Sequence, residues 1–195
     1  MFKLNLTPKK LIAGAAVPVA VLASGGLVWQ SSYSAFSATT ASPTNNWAAG
    51  SVALADDDSN AAMFNASNLK PGSTGSKCLV VTSSGSLAST VKLYATNYST
   101  TKSLADSLNL KVEEGTGGTF SNCTGFTAGS TVFDGTAAAF GTSKTDFATG
   151  VGTWAPNGGN ATKTYKVTYT LSATTPDSAQ GGSAALGFTW ESQNS

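Results

Sequence analysis

Apolar and polar residues alternate along much of this chain. In residues 164–171, Tyr165, Val167, Tyr169 and Leu171 share one face, and Thr164, Lys166, Thr168 and Thr170 share the other. That period of two is the mark of a half-buried strand. The same alternation places Leu186, Phe188 and Trp190 on one face near the C-terminus, Val91, Leu93 and Ala95 on another strand, and Leu108, Leu110 and Val112 on a third. The continuous apolar run from Cys78 to Val81, ending at Thr82, predicts a more deeply buried strand. Val, Thr, Tyr and Phe dominate these runs, and they are the residues that fit a pleated, packed surface.

Breakers separate the runs: Lys70-Pro71-Gly72, the glycine-rich stretch 115–118, Ala155-Pro156-Asn157-Gly158-Gly159, and Gln180-Gly181-Gly182. Helical periodicity is scarce; 103–108 and 177–184 each have room for a single turn. In residues 130–152, Val132, Phe133 and Phe140 read as core, but no register follows from the pattern. Many short strands at this spacing predict an all-β protein, a jelly-roll-like β-sandwich with one or two short helical turns.

The N-terminus is different. Lys3, Lys9 and Lys10 precede an uncharged, mostly apolar run from Leu11 to Trp29, which is followed by small and polar residues up to Ala35 and Phe36. Positive, apolar, small is the order of a secretory signal peptide. The competing reading is a permanent anchor, since the run is near bilayer-spanning length. Pro18, Gly14, Gly25 and Gly26 weaken it as a span, and no positive cluster follows it. The expected organisation is therefore a signal peptide over 1–35 cleaved between Ala35 and Phe36, an N-terminal arm over 36–46, and a sandwich domain over 47–195. On this reading the protein is secreted, and it meets the membrane only through the signal peptide before cleavage.

Composition narrows the chemistry. Only 11% of the 195 residues are charged, His is absent, and every basic residue is Lys. Imidazole catalysis and imidazole metal ligation are excluded, as is bidentate guanidinium recognition of phosphates or bases. The lysines form no stripe that would suit nucleic acid. Loss of residues 1–35 removes three Lys and no acid, which leaves a slightly acidic chain. Cys78 and Cys123 are the two cysteines. In an exported chain an even count predicts a disulfide, and closing that loop is worth roughly 4 kcal/mol in the chain-entropy model. Two buried free thiols are the second reading. A metal site is the third, because two Cys without His do not complete a tetrahedral set.

Three features resemble sites. Asp56, Asp57 and Asp58 are weak candidates for Ca²⁺ ligands; adjacent carboxylates on extended chain point in alternating directions, which favours a solvated turn after a strand ending at Leu54. Gly115-Thr116-Gly117-Gly118 lacks the following Lys and helix of a phosphate loop. Glu113 and Glu114 should face opposite sides of a strand and so form no acid–base pair. Ser is abundant, but there is no His to activate one. No catalytic residue and no cofactor is expected from these patterns.

Ala35-Phe36-Ser37 followed by Asn46-Trp47-Ala48-Ala49-Gly50-Ser51-Val52-Ala53-Leu54 resembles the start of the TasA and camelysin family, whose members are processed by a SipW-type signal peptidase. Leu69-Lys70-Pro71-Gly72-Ser73, together with Ser84-Gly85-Ser86, is similar to that family's turn and following strand, and 180–190 to its last strand. The resemblance implies a jelly roll outside the cell and a SipW-type peptidase as partner during export. It also implies self-association, since some members build fibres of the biofilm matrix, and strand donation by the 36–46 arm is the route this suggests. Other members are called camelysins, cell-surface metalloendopeptidases, but with no His and no HExxH helix this chain offers nothing onto which a zinc-peptidase site maps. The expected function is a structural protein of the cell surface or matrix. The alternatives are a camelysin-type peptidase and a carbohydrate- or surface-binding jelly roll that stacks sugars on Trp47, Trp154 or Tyr98.

Overall fold

The computed structural model describes residues 50–194. The expected signal segment, Ala35, Phe36, the 36–46 arm and Trp47 lie outside the described residues. Among the described residues, eight strands form two sheets. The first holds β1 (Leu54–Asp56), β2 (Thr74–Ser83), β7 (Ala161–Leu171), β4 (Leu108–Thr116) and β5 (Thr127–Thr136), in the order β1-β2-β7-β4-β5. The second holds β6 (Val151–Trp154), β3 (Ser89–Thr100) and β8 (Ala184–Asn194), in the order β6-β3-β8. All pairings are antiparallel.

The alternating faces explain how the sheets stack. Tyr165 and Val167 on β7, Leu110 and Val112 on β4, and Leu79 and Val81 on β2 are buried together with Leu93 and Ala95 from β3. Phe188 and Trp190 of β8 pack against this core. The Tyr165 and Trp190 rings lie 5.3 Å apart across the sheets. The chain crosses repeatedly between sheets, as in a jelly roll. A jelly roll, however, places its first strand beside its last, and here β1 pairs with β2 instead, through Leu54↔Ser83, Ala55↔Thr82 and Asp56↔Val81. Among the described residues, the outer side of β8 therefore carries no strand.

Turn chemistry sets the entry to β2. Pro71 presets φ, Gly72 adopts φ 84°, and Ser73 N–H donates to Lys70 O at 2.8 Å, which closes a type II turn. Several elements depart from the sequence pattern. The first strand does not end at Leu54 but begins there. β4 runs on through Glu113, Glu114 and Gly115 to Thr116, so the glycine stretch breaks the chain only from Gly117, where φ reaches 78°. Residues 130–152 divide into the end of β5, a short helix Ala137–Ser143, and β6. That helix joins the expected turns, found at Leu104–Ser107 and, as a 3-10 turn, at Asp177–Ala179, which makes three short helical segments among the described residues. Thr136 starts the helix, its Oγ1 accepting from Ala139 N–H at 3.1 Å. Phe140 is fully buried and meets Phe133 edge-on, with centroids 4.8 Å apart.

Candidate functional site

One feature with the capacity to bind is the open side of β8. It is an eleven-residue strand whose side chains are mostly half-buried. Beside it, between the sheets, lies a groove of about 300 Å³ lined by Phe64, Tyr98, Leu110, Tyr169, Leu186 and Phe188. At one end it shares Ala66, Leu69, Leu108 and Ala184 with a wider cleft of about 710 Å³, bounded by Pro71 and the 175–184 segment. Phe64 reaches this groove from the segment after β1 and packs edge-on against Tyr169, with centroids 5.0 Å apart. An extended segment laid along β8 would bond its main chain and turn alternate side chains toward this apolar groove. The sequence pattern marks β8 as a strand but carries no sign that one side of it lacks a neighbour.

Cys78 and Cys123 are joined in a disulfide, with Cα atoms 5.3 Å apart. The bond ties the connection between β4 and β5 to β2, although β7 stands between β4 and β2 in the sheet. The connection crosses the outer face of the sheet, where the Lys166 ammonium lies 5.8 Å from the Phe126 ring centroid, and Thr164 beside it is 4% exposed.

The three aspartates do not converge. Asp57 is exposed in the bend after β1, as expected, but its carboxylate is also tied: Oδ1 accepts from Val80 N–H and Oδ2 from Phe120 N–H, both at 2.8 Å. Asp58 Oδ1 accepts from Asn60 N–H at 2.6 Å and Asp56 Oδ1 from Asp58 N–H at 3.4 Å, so both are spent on local turns. Partial burial, then the Asp58 and Asp57 carboxylates, raise the Asp56 carboxyl above its ordinary value. Every Asp, Glu and Cys of the chain lies between Asp56 and Glu191. Among the described residues, no three such groups stand where they could hold one metal ion. A zinc-peptidase ligand set does not fit this arrangement.

Glu113 and Glu114 do face opposite sides. Glu113 pairs with Lys111 at 2.8 Å on the outer face. Glu114 turns inward and is 5% exposed. Among the described residues, its Oε1, the Tyr165 hydroxyl and Trp190 Nε1 are buried without a hydrogen-bond partner. Glu114 and Tyr165 are opposite residues of adjacent strands. Burial first, then the Glu114 charge, pushes the Tyr165 hydroxyl far above the usual tyrosine value. Sequence reasoning missed this polar group inside the core. Its one sequence signal is the phase of β4, which puts Glu114 on the same face as Leu110 and Val112.

Trp154 packs against the core, and Tyr98 lines the groove. The sequence profile of the camelysin metallo-endopeptidase family matches residues 7–112, more than half of the chain. The chain belongs to the camelysin family. The matched stretch runs from the N-terminal segment into β4 and includes the Lys70-Pro71-Gly72 turn and β2. It stops short of β8, where the likeness to the family rests on the 180–190 pattern alone. Membership supports a camelysin-type protein of the cell surface. No curated protein matches the sequence. Among the described residues, no helix is long and apolar enough to cross a membrane.

Proposed function

We propose that this camelysin-family protein is a structural component of the cell surface or extracellular matrix, and that copies join by strand addition rather than cleaving peptide bonds. The observation that carries this is the open side of β8 above an apolar groove. An unpaired edge of this length is a template for another strand. The arm over 36–46 is the proposed donor. It is uncharged and carries Phe36 at its tip, an aromatic suited to a groove lined by Phe64, Leu186 and Phe188. Removal of 1–35 by a SipW-type peptidase would free the arm only after export, which keeps assembly out of the cytosol.

The family description favours a second reading, a cell-surface metallo-endopeptidase. Against it stands the dispersal of carboxylates described above; a catalytic zinc needs three protein ligands and an open position. The deciding experiment compares a chain beginning at Phe36 with one beginning at Asn46, by light scattering and electron microscopy. Fibres from the first and monomers from the second are expected. If both stay monomeric, or both form the same fibres, the arm is not the donor.

A further inference from the structure

The same sheet that contains β7 has a second exposed margin, along β2, and it is treated differently. β1 is only three residues long and pairs only with Val81–Ser83. Among the described residues, no strand lies beyond β2 over residues 74–80. Val80 N–H points to this margin, since it donates to Asp57 rather than to β7. By the two-residue alternation of an antiparallel ladder, the main-chain groups of Thr74, Ser76 and Cys78 point the same way.

Three ties bring one loop, 117–126, to this margin. The disulfide fixes Cys123 to Cys78. Asp57 bridges Val80 N–H and Phe120 N–H. Lys77 Nζ donates to Phe120 O at 3.2 Å and stands 4.4 Å from the centre of the Phe120 ring. The ties fall at residues 77, 78 and 80, on the stretch that β1 leaves bare. A loop that starts two strands away is thus carried across the sheet and anchored where pairing with a foreign strand would begin. Glycines 117, 118 and 125, all at positive φ, allow its sharp path.

We infer that this loop is an edge guard: it closes β2 to strand addition by a second copy of the chain. The covalent tie makes the guard redox-sensitive. Dithiothreitol supplies two electrons and two protons, converts the disulfide to two thiols, and itself becomes a cyclic disulfide. The loop is then held only by noncovalent contacts, among them those of Asp57 and Lys77 and the packing of Phe120 and Phe126. The inference does not depend on the 36–46 arm being the donor.

The test uses the chain beginning at Asn46, which is expected to be monomeric, oxidised and reduced, alongside Asp57→Ala in both states. Hydrogen exchange is followed by mass spectrometry in peptides covering 74–80, 108–114 and 161–167, and molar mass by light scattering in the same samples. In reduced Asp57→Ala, exchange over 74–80 should rise at least tenfold, with less than a twofold change in the other two peptides, and molar mass should rise above that of the oxidised sample. Oxidised Asp57→Ala should lose protection at Val80 and Phe120 while its mass stays that of the oxidised wild type. An unchanged 74–80 segment overturns the inference. So does an equal rise in all three peptides, which would make the loop a general staple. So does a rise over 74–80 with no gain in mass, which would make the loop a cover without a guarding role. Failure of arm donation changes none of these comparisons.

Discussion

Tyr165 shows how much a single position can demand. Its ring fills the core against Trp190, yet its hydroxyl and the Glu114 carboxylate opposite it lie among apolar side chains. Because burial and the Glu114 charge raise its folded-state value, Tyr165 has no effect on the pH dependence of stability below the ordinary tyrosine value, and stability falls as pH climbs past it, since the unfolded chain ionises first. The expected result is alkaline unfolding that begins near pH ~10. Tyr165→Phe should remove this sensitivity without loss of stability at neutral pH, because an unpartnered buried hydroxyl costs about 1–3 kcal/mol; circular dichroism melts at neutral and alkaline pH would check both halves. Gly152 belongs to the same site. A Cβ there would lie 2.7 Å from Glu114 Oε1, and its φ is 97°. Gly152→Ala should therefore cost about 1–3 kcal/mol, measured by urea unfolding.

Among the elements, β2 carries the largest number of distinct constraints: a proline–glycine turn before it, β1 and β7 beside it, and the disulfide across it. Protein purified without reductant should resist alkylation of Cys78 and Cys123 unless first reduced. Replacement of both by Ala should lower stability by roughly 2–4 kcal/mol, read as a fall in the denaturant midpoint; an unchanged midpoint would mean the bond does not stabilise the fold. The strands themselves were legible because alternation reports one buried face, as in Tyr165, Val167 and Leu171. The helix Ala137–Ser143 was not. At seven residues it is too short for a helical period to emerge, and its start depends on Thr136 capping one amide.

For the whole molecule, two outcomes follow from the proposed role. Intact-mass measurement of the secreted protein should give a chain beginning at Phe36, or within a few residues of it; a surface fraction that retains 1–35 would make that segment an anchor. Rigorously purified protein should show no chelator-sensitive cleavage of casein. Such cleavage would restore the peptidase reading and direct attention first to Asp56, Asp57, Asp58, Glu113 and Glu114.

The sequence by itself determined the all-β class, most of the strands, a disulfide as the leading reading of its two cysteines, and the resemblance to the camelysin family. These follow from local period, residue count and short ordered motifs, all of which are written along the chain. Only the tertiary structure decided which edges are covered. That β1 sits beside β2 and leaves β8 open, that loop 117–126 crosses β7 to reach β2, and that Asp57 is spent on the amides of Val80 and Phe120 all depend on contacts between residues far apart in sequence. A strand's alternation records which face is buried. It carries no record of what lies along its hydrogen-bonding edge, because main-chain donors and acceptors are the same for almost every residue.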